Sequence, residues 1–259
     1  MIDSNTRWAQ QLASWAIPAE IMAKAPTSPW IHPVELFVVP PDAAPTVSPP
    51  TRLALEALPA GGSVLDIGCG GGRGAMALVE RAGLVIGVDH QQEMLKKFAE
   101  AAIERNVEHQ EIFGDWPANV DEVPIADVAI AYHVIYNVSD LAIFAAAIDS
   151  HARKRVVLEA PMRHPLANLN ALWEHFWSLK RPEGPSAEDA VTVIRDAGYE
   201  AEIEYFSEPP RQIVPLDKQV EFTRIRLCLP ETRDAEIREI LINQSEEQRQ
   251  LAAIWWDKK

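Results

Sequence analysis

Short apolar, β-branched segments alternate with helix-forming segments through most of this sequence. The clearest apolar segments are residues 63–67, 84–88, 127–131 and 155–159. They are apolar at successive positions rather than at every second one, as in parallel strands whose two faces are both covered by helices. The alternation therefore predicts an α/β fold with a doubly wound sheet.

Weaker signals extend this sheet at both ends of the chain. Residues 110–114, 200–206 and 250–256 are further strand candidates. Ser186 and Asp189 have the spacing of a capping box, which predicts a helix that begins there and ends at Gly198.

The first fifty residues differ in composition from the rest of the chain. They contain nine of the twenty prolines, which exclude a long helix over 25–50, whereas residues 4–24 fit one or two short helices. Trp15, Trp30 and Phe37 make this segment too apolar for a free linker. We expect an N-terminal arm, residues 1–50, that covers the site of a main domain, residues 51–259.

Charge and cysteine content limit the partners. A net charge of −14 and two cysteines without metal-ligand spacing disfavour a nucleic-acid partner, a disulfide framework and a zinc site. No apolar segment approaches the roughly 20 residues that span a bilayer, and the N-terminal residues lack a leader pattern. We expect a cytoplasmic protein without a membrane partner, and the sequence does not indicate its oligomeric state.

The segment VLDIGCGGGRGA, Val64 to Ala75, places glycines directly after the first strand. Glycines there let the backbone turn sharply and approach a ligand, and a helix over 73–82 would point its free N–H groups at that ligand. Gly70, Gly72 and Ala75 satisfy the dinucleotide pattern G-x-G-x-x-G/A, with Asp89 nineteen residues after Gly70.

The acid inside the strand favours a different cofactor. Asp66, Gly68, Gly70 and Gly72 form D-x-G-x-G-x-G, which resembles motif I of the class I S-adenosylmethionine-dependent methyltransferases. A carboxylate at this position has little use beside a pyrophosphate. The resemblance implies that S-adenosylmethionine is the cofactor and that Asp66 belongs to the network around its amino group.

The same resemblance assigns the remaining cofactor contacts. It implies that Asp89 takes the ribose hydroxyls and that His90 packs on the adenine. Asp115 is expected to bind the adenine amino group, with Trp116 beside the ring, and Tyr132 is expected at the mouth of the site.

The resemblance also implies a fold and a reaction. The fold is a Rossmann-like seven-stranded sheet whose last strand, 250–256, is antiparallel, with inserts at 162–184 and 208–247. The chain lacks the N-P-P-Y/F signature of many nucleic-acid and protein methyltransferases, and it lacks the paired acids of metal-dependent enzymes. We therefore expect metal-independent transfer of a methyl group to the oxygen or nitrogen of a small molecule.

His133 and Tyr136 are the predicted catalytic residues, because they follow the fourth strand where an open α/β sheet has its crevice. His133 would act as a base or would only pack against neighbouring rings. His164 is a weaker candidate base. The aromatic residues Trp173 and Trp177 would belong either to the core or to a lid over the acceptor.

Two other functions remain open from the sequence. A methyltransferase of RNA or protein would need a basic surface, for which the candidate clusters are Arg153-Lys154-Arg155 and the pair Arg224/Arg226. A non-catalytic protein that binds the cofactor would keep the motif without turnover.

Overall fold

The apolar, β-branched segments form one mixed sheet in the computed structural model, which describes residues 2–29, 47–209, 215–243 and 248–259. Its strands are β1 (Gly62–Ile67), β2 (Ala82–Asp89), β3 (Glu108–Phe113), β4 (Ala126–Tyr132), β5 (Ala152–Pro161), β6 (Glu202–Glu208) and β7 (Arg249–Asp257). Every predicted strand is present, and Trp30 and Phe37 lie outside the described residues.

The strand order is β3-β2-β1-β4-β5-β7-β6. Neighbouring strands from β3 to β5 run parallel, and β7 is antiparallel to both β5 and β6. This confirms the predicted Rossmann-like sheet with an antiparallel last strand. Because the order reverses at β1, whose neighbours are β2 and β4, the crevice of the sheet lies at the carboxyl ends of these strands.

Helices cover both faces of the sheet. The helices are α1 (Ser4–Ala13), α2 (Ala19–Met22), α3 (Pro49–Ala57), α4 (Arg73–Met76), α5 (Gln92–Glu104), α6 (Leu141–Ser150), α7 (Asn170–Trp177), α8 (Ala187–Asp196), α9 (Leu216–Arg226) and α10 (Asp234–Asn243). Residues of α1, α6 and α8 share one core with the sheet, and residues of α3, α4 and α5 share a second. The capping box of Ser186 and Asp189 begins α8, as predicted.

A third apolar cluster, which we call the helical cap, joins α2 to α7, α9 and α10. The segments that carry α7 and α9 leave the carboxyl ends of β5 and β6, and α10 leads to the start of β7. Because β7 is antiparallel to β5, all of these connections meet the same edge of the sheet. The cap therefore adjoins the edge where the crevice lies.

The helix after the glycines is shorter than predicted. The sequence predicts a helix over 73–82, but α4 ends at Met76 and is followed by turns. The next strand already begins at Ala82, and the chain must return to the far end of the sheet before that residue. This leaves room for a single helical turn, so a helix dipole contributes little at the site.

No helix in the described ranges is long and apolar enough to cross a membrane.

Candidate functional site

The loop after β1 has a left-handed backbone at three glycines. Gly68, Gly70 and Gly72 have φ angles of 66°, 51° and 88°. A Cβ atom on Gly68 would lie 2.6 Å from Cγ2 of Val134, so this glycine also lets the loop that follows β4 approach. A Cβ atom on Gly70 would meet nothing within 4 Å. The space over Gly70 is therefore open to a ligand.

Asp66 lies beneath this loop and is almost fully buried, with 2% of its surface exposed. Its Oδ2 atom accepts the backbone N–H of Ala75 at 3.1 Å. Burial raises the pKa of Asp66 to about 7, the hydrogen bond from Ala75 opposes this shift, and the charge of Asp89 adds to it. A buried carboxylate with a single described hydrogen bond is costly without a cation, so this position suits a positively charged ligand group.

Asp89 ends β2 and ties two backbone segments together. Its Oδ2 accepts the N–H of Gly70 at 3.0 Å, and its Oδ1 accepts the N–H of Gln91 at 2.8 Å. Since each carboxylate oxygen has two lone pairs, the group retains acceptor capacity for hydroxyls. The next side chain, His90, is exposed, and its Nδ1 lies 3.9 Å from Oδ1 of Asp89.

The segment after β3 is only partly placed as the resemblance implies. Gly114 donates its N–H to the carbonyl of Asp89 at 3.1 Å, which sets the exposed Asp115 beside the end of β2. The Trp116 indole instead meets the ring of His151 edge-on at 5.1 Å. His151 precedes β5 at the opposite edge of the sheet. Trp116 therefore has a packing role, which corrects the expectation that it lies beside the adenine.

Tyr132 ends β4 with a hydroxyl that has no hydrogen-bond partner in the described structure although the atom is buried. Burial raises the pKa of Tyr132, and the charges of Glu159 and Asp66 raise it further. Its ring borders Gly74, where an added Cβ atom would lie 2.9 Å from Tyr132 Cδ2. Buried hydroxyls are usually paired, so Tyr132 leaves a polar atom available to a bound molecule.

His133 follows β4 and is held by Glu159 of β5. Its Nε2 atom lies 2.6 Å from Oε1 of Glu159, and its backbone N–H donates to the Glu159 carbonyl at 2.7 Å. The His133 backbone is left-handed, with a φ of 63°. The pair lies next to Tyr132, which is opposite Glu159 in the sheet register.

Glu159 is the site residue that sequence reasoning missed. It interrupts the apolar segment VVLEAP in the same way that Asp66 interrupts VLDIG. A charged residue within a strand buried on both faces is the signal that would have found it.

Tyr136 belongs to the packing between arm and sheet. Its hydroxyl donates to the Pro161 carbonyl at 2.7 Å, and its ring stacks on Trp8 with centroids 5.6 Å apart. Trp8 in turn donates its indole N–H to the Val138 carbonyl at 2.8 Å. The Tyr136 hydroxyl already donates a hydrogen bond, and only 6% of the residue's surface is exposed. Tyr136 therefore has a structural role, which corrects its predicted catalytic role.

His164 is held by the arm. Its ring stacks on Trp15 with centroids 3.9 Å apart. Burial lowers the pKa of His164 to about 4, and the charge of Arg181 lowers it further. The ring is therefore neutral near pH 7.

Trp173 and Trp177 hold the helical cap together. Trp173 is buried, with the Arg181 guanidinium 5.1 Å from its ring, and Trp177 donates to the Leu227 carbonyl at 2.7 Å. The structure therefore supports a core role for these two residues rather than a lid over the acceptor.

Both cysteines, Cys69 and Cys228, are buried and unpaired. Burial raises the pKa of the Cys69 thiol, which fits a packing role beside the loop. Among the described residues no group of three or more histidine, cysteine and acidic side chains is arranged to hold a metal ion.

Sequence comparison with known proteins finds a match over the part of the chain that carries most of the site residues described above. Residues 64–154 match the sequence profile of a family described as a methyltransferase domain. A stretch of 97 residues is 35% identical to an uncharacterised protein from Haemophilus influenzae, and it spans 37% of this chain and 36% of that protein.

Solved structures share the fold at low sequence identity. The YcgJ protein from Bacillus subtilis has a TM-score of 0.54 and 18% identity, over 81% of this chain and 98% of that one. A protein from Bacillus halodurans assigned as a methyltransferase has a TM-score of 0.54 and 16% identity, with 81% and 98% coverage. Precorrin 8w decarboxylase from Methanobacterium thermoautotrophicum has a TM-score of 0.51 and 15% identity, with 87% and 99% coverage.

A decarboxylase among these structures shows that the fold alone does not determine the reaction. The matched profile begins at Val64 and so includes the glycine loop with its buried acid. Residues 64–154 are therefore similar to a methyltransferase domain, and the motif in this stretch is the one that resembles motif I of the class I S-adenosylmethionine-dependent enzymes.

Proposed function

We propose that this protein transfers a methyl group from S-adenosylmethionine to the oxygen or nitrogen of a small molecule. The observation that carries the proposal is Asp66, a buried acid under a glycine loop that leaves open space over Gly70. A pyrophosphate would repel this carboxylate, whereas the ammonium group of a methionine moiety would neutralise it.

Each end of the cofactor has a candidate partner at the sheet edge. Asp66 would bind the amino group, and Asp89 would accept hydrogen bonds from the ribose hydroxyls. His90 would cover the adenine, and Asp115 would meet its amino group. The loop backbone from Gly68 to Gly72 would line the space between these ends.

S-adenosylmethionine supplies a methyl group on a positively charged sulfur, which is already activated for displacement. The protein then contributes alignment of the acceptor and exclusion of water. The unpaired hydroxyl of Tyr132 would orient a polar atom of the cofactor or acceptor. His133 would take a proton where the acceptor must lose one.

A small acceptor fits the surroundings better than a nucleic acid. Arg155 is paired with Asp257 at 2.8 Å, and Arg224 is paired with Asp234 at 2.9 Å. Arg226 is buried and donates to the Pro29 carbonyl at 2.7 Å. These three arginines are thus neutralised or buried, so they offer little free positive charge to phosphates. The arm and helical cap would instead enclose a small molecule, and we propose a cytoplasmic location.

Transfer of a radioactive methyl group tests the proposal even though the acceptor is unidentified. The protein is incubated with S-adenosylmethionine carrying a tritiated methyl group and with a cell extract separated into small-molecule, RNA and protein fractions. The proposal predicts label in the small-molecule fraction, and Asp66→Ala should abolish it. Label confined to RNA or protein would contradict the proposed acceptor. Binding of the cofactor without label in any fraction would indicate a non-catalytic binding protein.

A further inference from the structure

Glu159 is an acid with 3% of its surface exposed inside an otherwise apolar strand. No cofactor contact in the family resemblance calls for an acid here. Burying a carboxylate is costly unless its partners compensate, and the partner at 2.6 Å is Nε2 of His133. The arrangement joins a buried charge to a side chain at the crevice.

Glu159 holds His133 at two points. The side chains meet through Nε2, and the backbone N–H of His133 donates to the carbonyl of Glu159 at 2.7 Å. A left-handed backbone at a residue other than glycine is uncommon, and here it turns the chain out of β4 while the ring stays against β5. Both the position and the rotation of the imidazole are therefore fixed.

This contact also determines where the ring carries hydrogen. An ionised carboxylate can only accept, so Nε2 carries the hydrogen, and Nδ1 is the nitrogen that takes a proton. Among the described residues, the charged or titratable groups near the pair include Tyr132 of β4 and Arg73 of α4, which act on Glu159 through their charges, and Asp66 of β1, which acts on Tyr132. Arg249 of β7 and Glu208 of β6 act on Arg73 in turn.

Building on the methyl transfer proposed above, we propose that Glu159 is a positioning residue that keeps His133 ready to accept the proton of a hydroxyl group on the acceptor. In this step the bond between sulfur and the methyl carbon breaks as the bond between oxygen and that carbon forms. The hydroxyl proton moves to Nδ1 of His133, and the products are a methyl ether, S-adenosylhomocysteine and an imidazolium. The positive charge thus moves from sulfur to a ring that already touches a carboxylate.

An amine acceptor has no comparable use for this pair. A neutral amine attacks with its own lone pair and retains the positive charge on nitrogen, so no base is needed within the step. A hydroxyl becomes strongly acidic as its oxygen gains the methyl group, and a fixed base removes that proton. The His133–Glu159 pair therefore favours oxygen over nitrogen as the methylated atom.

The first test identifies the methylated atom. The tritium-labelled small-molecule product is heated in hydriodic acid, which releases methyl iodide from methyl ethers and leaves N-methyl groups in place. Volatile label is expected. Label that resists the acid would overturn this inference while leaving the proposed methyl transfer intact. A protein that labels no small molecule would overturn both.

The second test separates positioning from structural support. Glu159→Gln should slow label transfer by about 10–10³-fold and His133→Gln by about 10²–10⁴-fold, with unchanged affinity for S-adenosylhomocysteine. The double variant should be no slower than His133→Gln alone, because both changes remove one function. The pH profile of the transfer rate in Glu159→Gln should also be shifted relative to that of the wild type.

Glu111→Gln is the control, because His109 Nδ1 and Glu111 Oε1 lie 2.7 Å apart in a second His–Glu pair with a histidine of similar exposure, although Glu111 is 28% exposed and Glu159 only 4%. It should retain the wild-type rate and pH profile. Multiplicative losses in the Glu159→Gln/His133→Gln double variant, or a Glu159→Gln protein with the wild-type profile, would overturn the positioning role. If Glu159→Gln fails to fold, His133→Gln decides alone, and a wild-type rate in that variant would overturn the inference.

Discussion

The carboxylate of Asp66 accepts the backbone N–H of Ala75 at 3.1 Å, which links the end of β1 to the single helical turn beyond the glycine loop. The contact crosses the loop at its base, so the buried acid and the loop backbone form one unit. Burial raises the pKa of Asp66 to about 7. The group that we propose binds the cofactor is therefore also a source of instability when no cofactor is bound.

Asp66→Asn should stabilise the cofactor-free protein at pH 8. Because the pKa of Asp66 is raised in the folded state, that state binds more protons between about pH 4 and 7, and the free energy of unfolding falls as the pH rises through this window. The neutral amide removes this loss, so the free energy of unfolding should rise by roughly 2–4 kcal/mol at pH 8 and change little at pH 4. Urea unfolding at both pH values measures it. Asp121→Asn, an exposed control, should change neither value, and equal stability of Asp66→Asn and wild type at pH 8 would refute the account.

Asp89→Ala should weaken binding of S-adenosylhomocysteine by about 1.5–3 kcal/mol, the loss expected for hydrogen bonds to a charged group. The change removes the proposed ribose contact and also the acceptor for the Gly70 N–H. Isothermal titration gives the affinity. Asp121→Ala serves as the control, and an unchanged affinity in Asp89→Ala would exclude this acid from the site.

Gly70→Ala should impair binding far more than stability. The alanine would adopt a left-handed backbone, at a cost of about 1–2 kcal/mol, and its methyl group would occupy the open space proposed for the cofactor. Gly198→Ala is the matched control, since Gly198 also has a positive φ and open surroundings but lies at the end of α8. Both variants should lose stability, measured by thermal unfolding, and Gly198→Ala should lose more, because its φ of 101° lies outside the left-handed region that alanine can adopt near the 51° of Gly70. Only Gly70→Ala should lose cofactor affinity. Equal affinities would mean that the space over Gly70 is not the cofactor site.

Tyr136→Phe should lose stability but not activity. It removes the hydrogen bond to the Pro161 carbonyl, which is worth about 1 kcal/mol, and keeps the ring on Trp8. Tyr205→Phe, on an exposed tyrosine, should change stability less. Label transfer at the wild-type rate is expected in both, and a large loss of rate in Tyr136→Phe alone would restore a catalytic role for its hydroxyl.

The sequence was sufficient for the sheet because buried parallel strands need continuous apolar segments, and these are local patterns. The short helix α4 was mispredicted because its length depends on where β2 must begin, which is a tertiary constraint. Tyr136 and Trp116 were misassigned because their positions in the sequence, after the carboxyl ends of strands, do not determine which way their aromatic rings point. Glu159 is marked in the sequence as a charge within an apolar strand, but its partner His133 lies 26 positions away, so only the fold shows the pair.

Titration of the purified protein with S-adenosylhomocysteine and with NAD, monitored by heat, tests the central claim most directly. The account predicts saturable binding of S-adenosylhomocysteine that strengthens as the pH rises through about 7, where Asp66 ionises, and no binding of NAD. Proton release to the buffer should accompany binding below pH 7 and disappear in Asp66→Asn. Saturable binding of NAD with no heat from S-adenosylhomocysteine would contradict the account.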